Sequence, residues 1–252
     1  MSSTISFAGA RTALSARSKS LIPERADKAV RAPLICGLVR RPELLVFVAL
    51  LVAFNVPLLL GSFSHSLIFQ PAAVLSGGQW WRLVTHPFVH ATWYHWLLDG
   101  VAFLSLYSGL DERSVLRRLG YVVSAGAGSL LISCAASPAI SANGLCGLSG
   151  IAHGLMAISA LEMIAKRPRQ TPEFRIGLIC FVLVVGKAAI EAASGRMFFT
   201  ALHFGLMGEP VAVAHAGGIV GSLLVLLLFT RRAADERRTA PRCHEPVTYE
   251  TP

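Results

Sequence analysis

Between Asn143 and Gly154 the chain reads NGLCGLSGIAHG, a single serine, Ser149, set among glycines where a long apolar run begins. A serine hydroxyl becomes a nucleophile when a neighbouring base takes its proton, and AVAHAGG supplies a histidine, His215, near the start of another apolar run. A third run opens with HATWYHWLLDG, which carries His95 and Asp99. Attack on a carbonyl makes an oxyanion that needs donors fixed in advance. The candidates are the ring of His95 and a backbone N–H at Ser149, left accessible by Gly147 and Gly150, with Gly147 and Leu148 leading into the turn. The chemistry that fits is acyl transfer by a Ser–His pair, which requires no carboxylate. The G-x-S-x-G elbow of α/β-hydrolases is excluded, because Ile151 stands where its last glycine belongs.

The elements that must position these residues are membrane helices. Of 252 residues, 54% are hydrophobic and 15% charged, against about 25% charged in a typical soluble domain, and the mean hydropathy is +0.58. The apolar residues gather into six runs, at 44–62, 94–110, 119–137, 147–165, 174–194 and 211–230, each about long enough to cross a hydrocarbon core as a helix. The fold class expected is an all-α membrane protein with six transmembrane helices. The second and fifth runs are the least regular, since Asp99 lies in one and Lys187 and Glu191 in the other.

The net charge of +9 invites a nucleic-acid reading, but the placement of the charges argues against it. Eight of the 23 Lys and Arg precede the first run, Arg113, Arg117 and Arg118 lie between the second and third, Lys166, Arg167, Arg169 and Arg175 between the fourth and fifth, and five follow the sixth. The opposite loops hold only Arg82 and Arg196. Such a bias puts the basic loops and both termini in the cytoplasm. The chain then divides into a basic N-terminal tail (1–43), a helical domain (44–230) and a basic C-terminal tail (231–252). Residues 1–43 have no apolar core of signal-peptide length, which argues against a cleaved secretory signal. They read as a disordered tail lying on anionic lipid or, since the stretch to Ser20 has no acid, as an organellar presequence.

Ionisable groups at membrane depth are expensive and mark cavities or partners. With this orientation, runs two, four and six all start outside. Ser149, His215, His95 and Asp99 therefore fall in one shallow layer facing the non-cytoplasmic side. The small residues also have a packing explanation: Ala214, Gly218 and Ser222 are four apart, as close helix approach in a bilayer demands. The two readings agree, because close contact between runs four and six brings Ser149 to His215.

At this point the sequence resembles the rhomboid intramembrane serine proteases. The matching pieces are WWRLVTHPFVHATWYHWLLDG (Trp80 to Gly100), GLSG (Gly147 to Gly150) and AHAGG (Ala214 to Gly218), in the family's order and spanning most of Glu43 to Thr230. The resemblance implies a six-helix rhomboid-like bundle with Ser149 as nucleophile, His215 as general base, and His95 as an oxyanion ligand. His86 and His90 fall at the other two histidines of that stretch. Asp99 falls where rhomboids usually have asparagine; it is then protonated, an acceptor that orients His95, or unused, and the orienting role is the one expected. His153 and the Lys187/Glu191 pair are similar to features of the rhombosortase branch, although a packed core histidine and a structural ion pair explain them equally. That branch implies exported bacterial substrates with a C-terminal Gly-Gly type signal, a single transmembrane helix and a basic tail. It also implies an inner-membrane enzyme with its active site toward the periplasm. The partners expected are a transmembrane-helix substrate and the bilayer, with no nucleic acid; the oligomeric state is not indicated. A general rhomboid protease without sorting specificity, an inactive helix-binding relative and a transporter are the competing readings.

Cys134 and Cys146 flank a short loop on the outer side and are a candidate disulfide. No metal is expected: His86, His90 and His95 are spaced four and five apart with no matching Cys or Glu on the same face. No cofactor is expected either. The polar, aromatic stretch from Ser76 to Trp93 is expected to be an interfacial element beside the cavity.

Overall fold

The computed structural model describes residues 41–198 and 211–239; the expected tails, apart from their inner ends, lie outside the described residues. The described chain is helical, with one isolated antiparallel bridge between Phe69 and Leu145. Its helices are α1 (Pro42–Leu59), α2 (Pro71–Leu75), α3 (Arg82–Thr85), a 3₁₀ turn (His86–Phe88), α4 (Trp93–Gly109), α5 (Val115–Ala136), α6 (Ala139–Asn143), α7 (Ser149–Lys166), α8 (Pro172–Ser194) and α9 (Val213–Thr239). Six of these, α1, α4, α5, α7, α8 and α9, coincide with the six apolar runs. Four of the six, α1, α5, α8 and the Val213–Arg232 part of α9, are long and apolar enough to cross a membrane. The other two, α4 and α7, carry His95 and Asp99 and Ser149 and His153, and their polar residues dilute the hydropathy. α9 continues to Thr239, beyond the expected boundary at 230.

Large apolar side chains such as Val52, Val123, Leu131, Val182, Leu183 and Leu228 are exposed, which water would penalise and lipid does not. The core holds large side chains such as Phe103, Tyr107 and Leu155, but the closest helix contacts are made by small residues. α9 packs against both α5 and α7, and a Cβ built on Gly217 would meet the Gly128 carbonyl oxygen at 2.5 Å, while one on Gly154 would meet the Gly218 oxygen at 2.6 Å. The four-residue spacing in α9 is therefore a packing seam, as its pattern implies.

The basic-loop end is closed by a buried ion pair. Arg118 of α5 binds Glu43 of α1 through Nη2 and through Nε (3.0 Å), and its Nη1 donates to the carbonyls of Glu112 and Arg113. Tyr107 of α4 donates to the same Glu43 carboxylate at 3.2 Å, so three helices meet at one carboxylate. Removing one member of such a pair strands the other charge. Arg118→Ala is expected to cost about 3–5 kcal/mol, read as a lowered melting temperature in detergent, with Glu43→Gln in the Arg118→Ala background recovering part of it.

The stretch from Ser76 to Trp93 is pinned to α1 from beneath. Asn55, buried on α1, donates to the Phe88 carbonyl at 2.6 Å and accepts from the His90 backbone N–H at 3.0 Å. Arg82, also buried, donates to the carbonyls of His65 and Ile68 at 2.7 and 2.6 Å. Trp80, Trp81 and Trp93 stay exposed, as aromatic residues of the headgroup zone do.

Candidate active site

Ser149 is the first residue of α7, and its position follows from the loop before it. Leu145 exchanges a pair of backbone bonds with Phe69 (3.0 and 2.9 Å), and the Gly147 N–H donates to the His86 carbonyl at 3.1 Å. Gly147 has φ +97, and a Cβ there would lie 2.9 Å from the His95 ring. Glycine is thus required twice, for the backbone conformation and for the approach of the chain to His95. The first turn of a helix leaves N–H groups without intrahelical partners, and in α7 the first described bond of this kind is Ala152 to Leu148. Among the described residues the Ser149 and Gly150 N–H groups have no backbone partner, which leaves them available to a ligand.

Ser149, His215 and His95 line one cavity of about 400 Å³, together with Cys146, Met197 and Gln70. His215 is the third residue of α9, and its Nδ1 lies 2.7 Å from Glu191 Oε2 of α8. Lys187, one turn before Glu191, places Nζ 2.9 Å from that carboxylate and 3.2 Å from His153 Nε2. The His153 ring stacks on His215 with centroids 3.8 Å apart and planes 12° apart, and its Nδ1 is 2.8 Å from the Ser149 carbonyl. On the other side, Asp99 Oδ2 is 3.1 Å from His95 Nε2 and 3.5 Å from His90 Nε2. Asp99 Oδ2 is thus close to both rings, but among the described residues no hydrogen bond of ordinary geometry joins it to either.

His86 sits outside this ring of contacts. Its Nδ1 donates to the Arg82 carbonyl at 3.0 Å, and burial pushes its pKa down to about 4, so it is neutral and structural. Burial likewise lowers the pKa of His90, against the opposing pull of Asp99.

Residues 77–232 match the family model of the rhomboid domain, which is more than half of the chain. The chain belongs to the rhomboid family. No curated protein and no solved structure matches it. Rhomboids are intramembrane serine proteases acting on transmembrane substrates, and the apolar helices make this rhomboid an integral membrane protein.

Two sequence expectations change. Cys134 and Cys146 are free thiols, so the expected bridge is not formed. The segment before Ser149 is braced by the Phe69–Leu145 bridge, and Cys146 lines the cavity, where burial raises its pKa to about 12. The argument against a metal also loses its premise, because Asp99 supplies the partner that the histidines lacked. His90, His95 and Asp99 form one group with ligand atoms within 4.8 Å of one another, and His153, Glu191 and His215 form a second. In the second group the Lys187 ammonium already occupies the carboxylate.

Sequence reasoning left Glu191 as an ion-pair partner and missed its contact with His215. The signal was present: with the orientation the basic loops imply, run five ends outside, which places Glu191 within one turn of the layer expected for Ser149. Asn55 and Arg82, which hold the histidine stretch in place, were also missed.

Proposed function

We propose that this rhomboid is a serine endopeptidase with six spans that cleaves single transmembrane helices near the non-cytoplasmic face. Ser149 is the nucleophile, His215 the base, and the N–H groups at the start of α7 together with His95 receive the oxyanion, with Asp99 orienting His95. The observation that carries this reading is the common cavity lined by Ser149, His215 and His95, each from a different helix.

In the first step the Ser149 Oγ attacks the scissile carbonyl carbon, its proton passes to His215, and the carbonyl electron pair moves onto oxygen. Collapse of that intermediate breaks the C–N bond, and His215 returns the proton to the departing amine. Water then attacks the acyl-serine, giving its proton to His215, and the Ser149 oxygen leaves and recovers that proton. The site needs no group beyond the chain and water for these steps.

The substrates proposed are exported bacterial proteins with Gly-Gly type C-terminal signals, and the location the inner membrane with the cavity toward the periplasm and both termini in the cytoplasm. The features that point to this branch, His153, Lys187 and Glu191, all stand around His215, which favours it over a general rhomboid protease. The test uses the purified protein in lipid vesicles. A fluorophosphonate probe is expected to label wild type at Ser149 and not Ser149→Ala, and wild type is expected to release a Gly-Gly tailed reporter while leaving an ordinary type I helix intact. Equal processing by wild type and Ser149→Ala would overturn the protease reading. Equal release of both reporters would overturn the sorting specificity alone.

A further inference from the structure

A Ser–His dyad requires no carboxylate, yet here the base has one. We propose that Glu191 is a positioning residue that completes a Ser149–His215–Glu191 triad, supported by Lys187 and His153; this rests on Ser149 and His215 being the reacting pair.

The Glu191 side chain is fully buried and the His215 side chain 3% exposed, with 2.7 Å between Oε2 and Nδ1. Oε1 accepts the Phe198 backbone N–H at 2.8 Å, and Lys187 donates to the same carboxylate at 2.9 Å. A side chain that receives the Lys187 ammonium and the Phe198 N–H is a carboxylate, and a carboxylate only accepts. His215 therefore carries its hydrogen on Nδ1, which leaves the lone pair on Nε2 as the one able to take the serine proton. Without Glu191 the imidazole is free to adopt either tautomer, and only one of them is a base toward Ser149.

The surroundings fix the ring as well as the proton. His153 donates from Nδ1 to the Ser149 carbonyl, so its Nε2 is an acceptor and receives Lys187. His153 is consequently a neutral ring stacked on His215, which holds the plane of the base without adding charge beside it. Lys187 balances the buried carboxylate while the base is neutral. When His215 takes a proton, Lys187 and Glu191 act on it with opposite signs. The Lys187 side chain is 27% exposed and Glu191 is dry, so solvent screens the repulsion more than the attraction. Glu191 takes up no proton at any step; it accepts the same Nδ1–H throughout.

The experiment measures kcat and KM for the Gly-Gly tailed reporter in vesicles, with the melting temperature of each purified variant. Glu191→Gln keeps the size and removes the charge. Its kcat is expected to fall by about 10²–10⁴-fold, as loss of the orienting carboxylate does in serine protease triads, with KM within about threefold of wild type. Glu191→Asp keeps the charge and is expected to lose less. Wild-type kcat in Glu191→Gln, or a loss carried by KM or by lowered melting temperature with kcat intact, would overturn the triad. Should Glu191→Gln fail to fold, Glu191→Asp decides: a kcat lowered about tenfold at unchanged KM supports the triad, and a wild-type kcat overturns it. Wild type and Ser149→Ala run in the same vesicles separate the two claims. If wild type does not cleave, the Ser149 reading has failed; if it cleaves and Glu191→Gln cleaves equally, only the triad has.

Discussion

Exchange of His215 for alanine is expected to lower kcat by on the order of 10⁶-fold, the loss that follows removal of the base from a serine protease acting as a unit. Cleavage should then be detectable only through what the oxyanion donors and binding supply. A second imidazole lies close by, His153, with its ring centroid 3.8 Å from that of His215. It does not replace the lost base, because both its nitrogens are engaged, Nδ1 with the Ser149 carbonyl and Nε2 with Lys187. The fold should survive the change, since Glu191 keeps Lys187 and the Phe198 N–H as partners. The check is reporter cleavage beside a melting curve. Cleavage within about tenfold of wild type at unchanged melting temperature would place the base elsewhere and sink the assignment of His215.

Why was so much of this site legible before the structure, and Glu191 not? Ser149, His215 and His95 each lie near the start of an even-numbered apolar run, so the orientation implied by the basic loops and a count of residues along each helix put them in one expected layer. That argument uses depth alone, and depth is fixed by helical rise. Which face each helix turns to its neighbours is fixed by packing, and the pattern there is faint, because lipid-facing and buried positions are both apolar. Glu191 was read with Lys187 as a closed pair, since a pair spaced i, i+4 is self-sufficient. Only the rotation of α8 against α9 shows a third group at the carboxylate. The bridge from Cys134 to Cys146 failed for the same reason: sequence separation measured the loop, while the Phe69–Leu145 pairing decided where the loop was held. Asp99 shows the opposite case. Its contact with His95 is local to one turn of α4, and the turn geometry was enough to anticipate it.

Gly218→Val is expected to abolish cleavage and to destabilise the protein by more than the about 1–3 kcal/mol of an ordinary overpacked core. A Cβ on Gly218 would run into the carbonyl oxygen of Gly150 and stand 2.5 Å from its carbon. The obstruction is backbone on the facing helix, so no rotamer change relieves it, and α7 and α9 must part. The contact is also the one that sets the site, since Gly150 follows Ser149 directly and Gly218 lies one turn beyond His215. Misplacing a reacting group by about 1 Å costs on the order of 10²-fold in rate, and the branched valine demands at least that much. α9 is also held against α5, where a Cβ on the neighbouring Gly221 would run into the Ser124 carbonyl. Gly186→Ala is the control: it lies in α8 with no atom within 4 Å of the added methyl, and the gain in helix propensity of up to about 1 kcal/mol should leave cleavage intact and the melting temperature unchanged or raised. Wild-type cleavage by Gly218→Val would show that the α7–α9 seam does not position the serine and the histidine. A loss confined to Gly218→Val would show that the glycine seam and the catalytic pair are one structural feature.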